Sequence, residues 1–95
     1  MDEQLIQSIS LIKSSSYRQK ILETLGSNIM TPAEIAKLSG FRLNHVSMYL
    51  SNLKVAGIVN CLNEDSKKGR LYQVTVLGKK SLEIIQSVKS DKTNK

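Results

Sequence analysis

Asn44, His45, Ser47, Met48, Ser51 and Asn52 share one side of a single apolar-periodic segment, opposite Val46, Leu50 and Leu53. They are small, polar or soft, and uncharged unless the histidine takes a proton. A purely solvated helix face usually carries Lys and Glu. Short donors and acceptors instead suit hydrogen bonding to base edges in a major groove, and Asn44, His45, Ser47, Met48 and Ser51 are the expected base-facing set. The alternative is an ordinary exposed face low in charge. A second cluster, Lys67, Lys68 and Arg70 around Gly69, follows on a polar turn. Long cations on a turn suit contact with phosphates or entry into a minor groove. Arg42 and Lys54, at the two ends of the first segment, complete the expected phosphate-facing set. Glu64 and Asp65 lie on the same turn and partly cancel it. They leave open whether Arg70 meets a phosphate or one of these carboxylates, and whether the loop merely adds solubility.

Other chemistries find little support. His45 and Cys61 are the single histidine and the single cysteine. They fall on different elements, and a metal site needs several ligands converging. A dimer would double the ligands, but one cysteine on a strand is more often a small buried hydrophobe. No metal and no cofactor is expected, and nothing supports a redox role for Cys61. The sequence contains neither a nucleophile–base–acid arrangement nor a glycine loop that cradles phosphate, so an enzyme is not expected and no small-molecule substrate is identified.

The elements that must hold these residues are readable from spacing. Thr31-Pro32-Ala33-Glu34 combines an N-cap threonine, a proline at the first helical position and a glutamate three residues after the cap. Such a pair satisfies two orphan backbone N–H groups reciprocally. Ile35, Ala36 and Leu38 form the apolar face of this helix, and Gly40 ends it. Ser39-Gly40-Phe41-Arg42 joins it to the next helix, from about Leu43 to Ala56, with Phe41 plugging the space between the two; together they read as a helix-turn-helix. Upstream, Leu5, Ile6, Ile9 and Ile12 mark a helix from Asp2 to Lys13. Ser14-Ser15-Ser16 breaks it. A second helix, Tyr17 to Leu25, carries Tyr17, Ile21, Leu22 and Leu25 on one face. Ile29-Met30 has the character of a short strand. Downstream, residues 58–62 and 70–74 read as a hairpin around a polar turn. Thr75 caps a last helix through about Lys89, and a polar, frayed tail begins at Ser90.

Ninety-five residues make one domain with a modest core, to which a dimer interface would add stability. The expected division is a terminal helix over residues 1–16, a nucleic-acid-binding unit over 17–75, a second terminal helix over 76–89 and a disordered tail over 90–95. Leu5, Ile9, Ile12, Ile84, Ile85 and Val88 form the expected dimer interface; the alternative for the first helix is that Leu5, Ile6, Ile9 and Ile12 pack on their own domain. The formal net charge of +6 favours a polyanionic partner. Neither terminal helix has the basic polar face that membrane-surface binding needs, and no apolar run is long enough to span a bilayer. The acidic start Met1-Asp2-Glu3 is unlike a secretory signal, so the cytoplasm is the expected location.

Thr31-Pro32-Ala33-Glu34-Ile35-Ala36, Asn44-His45-Val46-Ser47, Leu50 to Gly57-Ile58-Val59, Lys68-Gly69-Arg70-Leu71-Tyr72 and Val74-Thr75 to Gly78 occur in that order. The pattern resembles the archaeal winged-helix regulators related to the ArsR and MarR groups, over residues 17 to 88. The resemblance implies a mainly α fold with a small β-hairpin (α+β, a winged helix-turn-helix), binding to double-stranded DNA, and a homodimer built from the terminal helices. Transcription regulation, with repression as the default, follows by the same analogy. A winged helix used for protein contact and an architectural protein that coats DNA remain the alternatives. Two positions depart from the family pattern. Arg42 stands where a capping serine is usual, so the helix is expected to start later with Asn44 as its cap, leaving Arg42 to reach a phosphate. Met48 stands where a basic residue is usual, which favours an apolar contact such as a thymine methyl. Val76 and Leu77 replace residues often charged in the family and widen the apolar face of the last helix.

Overall fold

The computed structural model describes residues 2–93, with side chains described through residue 87. The elements are α1 (Glu3–Lys13), α2 (Ser16–Leu25), α3 (Pro32–Ser39), α4 (Leu43–Val55), β1 (Val59–Cys61), β2 (Tyr72–Val74) and α5 (Val76–Thr93). This is a winged helix-turn-helix: helices enclose the core and the β1–β2 hairpin forms the wing.

Local chemistry sets most of the boundaries. Asp2 caps α1 by accepting from the Leu5 N–H at 2.8 Å, and Ser15 caps α2 by accepting from Arg18 N–H. Thr31 and Glu34 form the expected reciprocal box: Glu34 N–H donates to Thr31 Oγ1 at 3.2 Å, and Thr31 N–H donates to Glu34 Oε1 at 2.9 Å. Gly40 ends α3 with φ 81°, a left-handed conformation that costs other residues energy. The expected late start of α4 is corrected. Arg42 is itself the N-cap, in extended conformation and with no side-chain cap bond, and Leu43 and Asn44 are already helical. The first turn closes through Val46 N–H to Arg42 O at 3.0 Å, a bond any residue's carbonyl can accept.

The hairpin is antiparallel, with Val59 opposite Val74, Asn60 opposite Gln73 and Cys61 opposite Tyr72. Its strands are shorter than the spacing implied. The Ile29-Met30 strand reduces to one bridge, in which Met30 and Tyr72 exchange N–H···O bonds of 3.1 and 2.8 Å. Thr75 accepts from Gly78 N–H at 3.1 Å, and its hydroxyl lies 2.7 Å from Gly57 O, tying the start of α5 to the end of α4. A Cβ on Gly78 would come within 2.6 Å of Val74 Cγ1, so the close crossing of α5 over the hairpin needs a glycine. The last helix continues to Thr93, past the expected end at Lys89 and into the stretch read as a frayed tail.

The core draws Ile12 from α1, Ile21, Leu22 and Leu25 from α2, Ile35 from α3, and Val46, Leu50 and Leu53 from α4. Ile58, Val59, Tyr72 and Val74 close it from the wing side and Ile85 from α5. Two of the expected dimer residues are thereby reassigned: Ile12 and Ile85 are buried within the chain's own core, because α1 packs along α5. The same contact contains a buried hydrogen bond between the Ser8 and Ser81 hydroxyls, 2.7 Å long. Leu5, Ile9 and Ile84 are half-buried and Ile6 is exposed. Val88 lies in α5, outside the residues whose side chains are described. Leu38 is 64% exposed, against its expected place on an apolar face: α3 is short, and Ile35 is the residue it buries. Among the described residues no helix is long and apolar enough to cross a membrane.

Candidate nucleic-acid interface

The turn between α3 and α4 holds the candidate surface in place. Phe41 is half-buried and packs against the core, as expected of a plug. Its ring also meets Tyr17 edge-on at 4.9 Å, and Tyr17 stacks on Tyr49 at 5.6 Å. Tyr17 therefore leaves the core face expected of it and becomes the middle ring of a partly exposed cluster beside the helix-turn-helix.

With Val46, Leu50 and Leu53 fully buried, α4 turns Asn44, His45, Ser47, Met48, Ser51 and Asn52 to solvent. The structure thus brings the whole expected base-facing set onto one exposed face. On one flank, Leu43, Ser47 and Ser51 border a cleft of about 450 Å³. Its other walls are Thr31, Pro32 and Ala33 at the start of α3, and Lys67, Lys68, Gly69, Arg70 and Tyr72 of the wing. The exposed wing cations and the Ser47/Ser51 edge of the uncharged α4 face therefore share a single concavity. The α3 start was read only as a capping signal, so its place in this wall was missed.

The wing tip is organised by Asn63, a second residue that sequence reasoning passed over. Its Oδ1 accepts from Leu71 N–H at 2.7 Å, and its amide nitrogen donates to Gly69 O at 3.2 Å. Cys61, free and half-buried, directs its thiol to the same Oδ1 at 3.6 Å. Among the described residues Arg70 does not pair with a carboxylate; its Nε donates to Ser66 O at 2.9 Å. Glu64 instead forms an ion pair with Lys54. The hydrogen bond that Lys54 donates to Glu64 holds the Glu64 carboxyl below the usual glutamate range and raises Lys54 above its ordinary value. Of the expected phosphate-facing cations, Lys54 is therefore already engaged, while Arg42, Lys67 and Lys68 are exposed without an ion pair among the described residues. No group of three or more metal-ligating side chains occurs among the described residues.

On the opposite flank of α4 lies Arg18, which the sequence did not single out. Its Nη1 donates to Leu11 O at 3.3 Å and to Ser14 Oγ at 3.0 Å, both at the end of α1. Its Nη2 donates to Asn52 Oδ1 at 3.2 Å. The guanidinium carbon sits 5.6 Å from the centre of the Tyr49 ring, within cation–π range. Its Nε is buried without a hydrogen-bond partner. A cation at a helix C-terminus is favoured by the last carbonyls, which helps retain the side chain despite that unpaired N–H.

No family model matches the chain, and no curated protein matches it. Solved structures do. A MarR family transcription regulator superposes with a TM-score of 0.79 at 16% identity, over 95% of this chain and 61% of that one. The homodimeric winged helix-turn-helix DNA-binding domain of a possible ArsR-family transcriptional regulator from Mycobacterium bovis superposes with a TM-score of 0.78. Its identity is 19%, over 94% of this chain and 82% of that domain. A cysteine-to-serine mutant of MarR from E. coli, complexed with operator DNA, superposes with a TM-score of 0.65 at 26% identity, over 86% of this chain and 60% of that one. The chain spans about three fifths of the length of the MarR chains it matches. These likenesses place the fold among winged helix-turn-helix domains.

Proposed function

We propose that the chain is a sequence-specific regulator of transcription that binds double-stranded DNA as a homodimer, with α4 in the major groove and the wing on the sugar–phosphate backbone. One observation carries this reading. The Ser47/Ser51 edge of the uncharged hydrogen-bonding face of α4 and the exposed cations Lys67, Lys68 and Arg70 border the same cleft. A base-reading surface beside a phosphate-contacting one is what duplex recognition requires. In this reading Asn44 and His45, at the leading end of α4, meet base edges, and Ser47, Met48 and Ser51 continue the contact. Met48 offers an apolar surface to a thymine methyl. Arg42 and the wing cations meet phosphates. The operator-bound and homodimeric relatives in fold support the reading, as does the net charge of +6.

The dimer is assigned to the terminal helices, over residues 1–16 and 76–89. With Ile12 and Ile85 committed to the core, the contact falls to Leu5, Ile6, Ile9 and Ile84, which retain accessible surface. Repression by occupying a promoter is the default mode, the cytoplasm is the assigned location, and affiliation to the archaeal regulators rests on motif order.

Selection of bound duplexes from a random pool tests the function. The expected result is a pseudo-palindromic site whose halves lie about 34–36 Å apart, one helical turn. Retention of every duplex alike, undiminished preference for none, identifies an architectural protein instead. No retention at low salt identifies a protein-contact module. Sedimentation at micromolar concentration tests the dimer, for which a monomer is the refuting result.

A further inference from the structure

The contacts of Arg18 bear on what α4 can read, and the inference rests on the duplex-DNA reading above. A guanidinium donates hydrogen bonds and accepts none. The side-chain amide of Asn52 must therefore turn its oxygen to Arg18, as the 3.2 Å contact to Oδ1 shows. That contact takes one of the oxygen's two acceptor positions and fixes which way the amide faces. Asn52 is exposed, and among the described residues nothing accepts from its NH₂ group, which is left to meet a partner from solvent. The guanidinium itself is held at the end of α1 by Leu11 O and Ser14 Oγ, and over the Tyr49 ring. It is thus fixed from two helices before Asn52 is reached.

We propose that Arg18 is a positioning residue that orients the Asn52 amide, with its oxygen toward α2 and its NH₂ group left to donate to base edges. An unrestrained asparagine pairs best with adenine, accepting from N6 and donating to N7 at once. That pair needs oxygen and nitrogen turned together to one adenine edge, and Arg18 draws the oxygen toward α2 and away from that alignment. Asn52 can donate to a lone acceptor in the major groove: guanine N7 or O6, thymine O4 or adenine N7. At the base pair facing Asn52, adenine loses its advantage and a base with an outward acceptor is chosen. This reading goes beyond the set Asn44, His45, Ser47, Met48 and Ser51, and it assigns a role to a residue that touches no DNA.

The test compares the base preferences of the full chain and its variants in duplex selections from one random pool. Arg18→Met frees the Asn52 amide to turn oxygen and nitrogen to one base, and is expected to shift preference toward adenine at one position per half-site by about 2- to 10-fold, the worth of one hydrogen bond. Arg18→Lys keeps the charge and a donor and is expected to restore part of the parent preference. In an Asn52→Ala background, Arg18→Met is expected to change nothing further at that position. Thermal melting confirms that each variant folds. If Arg18→Met fails to fold, Arg18→Lys carries the comparison against the parent. A readout in the free chain is independent of DNA: the Asn52 side-chain amide resonances are expected to move on Arg18→Met. An equal loss of affinity for all duplexes with preference unchanged overturns the role of Arg18, as does a shift that persists in the Asn52→Ala background. A parent chain that selects no duplex overturns the DNA reading itself. The amide resonances still report in that case whether the Arg18–Asn52 contact exists.

Discussion

Replacing Lys67, Lys68 and Arg70 together with alanine is expected to weaken DNA binding without changing which sequence is preferred. All three side chains are exposed and line the cleft beside α4. The one fixed contact among them is Arg70 Nε to Ser66 O, so the outer guanidinium nitrogens and both ammonium groups can reach a phosphate. The fold of the wing should survive, because Asn63 closes its tip through Leu71 N–H and Gly69 O. Each phosphate contact contributes about 0.9 to the slope of log affinity against log salt. Three lost contacts reduce that slope by about 2.7 per wing, and by roughly twice that in a dimer. Over a fourfold rise in salt, a slope difference of about 2.7 corresponds to roughly a 40-fold difference in affinity. The parent should therefore lose that much more than the mutant for each wing engaged. Counterion release is blind to sequence, so operator and random duplex should be weakened by similar factors. Fluorescence anisotropy with both duplexes at four or more salt concentrations measures slope and factor together. A mutant that keeps the parent's slope shows that the wing does not touch phosphate. A mutant that loses affinity for the operator alone shows that the wing reads groove shape or sequence, and the division of labour between α4 and the wing is then wrong.

Three other perturbations probe the packing and the ion pair. Ile12→Ala should cost about 2–5 kcal/mol in urea unfolding, as for a residue in a single chain's core, and by the same amount at low and high protein concentration; a loss seen only where dimer forms would return Ile12 to the interface. Gly78→Ala should destabilise by about 1–3 kcal/mol or more, since its Cβ meets Val74 Cγ1 at 2.6 Å, and an unchanged melting temperature would refute the close crossing of α5 over the hairpin. Glu64 should titrate below the ordinary glutamate range by NMR and return toward it in Lys54→Met. Because its folded-state pKa is depressed, whatever stability the pair contributes is present above the unfolded value and lost as pH falls through the folded one; unchanged Glu64 titration in the variant would show that the pair does not form.

The helices were legible because each buries one face, and burial imposes a period that the residues display. Val46, Leu50 and Leu53 announce α4, and Thr31 with Glu34 announces α3, since a capping box is a contact between residues three apart. The same logic explains the failures. An apolar stripe reports that a face is covered and not what covers it, so Leu5, Ile9 and Ile12 read equally well as a dimer contact or as packing on α5. The structure shows α1 packed along α5 and Ile12 buried in the chain's own core. Arg18 was invisible for a related reason: Ser14 lies four positions away, but Leu11 and Asn52 lie 7 and 34 positions away, and on its own helix Arg18 occupies a place that any solvated cation could fill. Asn63 hid in a polar turn because its value lies in bonds to residues six and eight positions on, across the loop. The charged residues show the limit most clearly. A net charge of +6 treats every cation as available to a polyanion. Folding instead sorts them: Lys54 is matched to Glu64, Arg18 is matched to carbonyl and amide oxygens, and Lys67 and Lys68 stand without an ion pair among the described residues. Cations in the first two groups already hold a partner that competes with a phosphate, and those in the last do not. The contribution of each to DNA affinity should therefore follow its pairing in the free chain rather than its place in the charge sum.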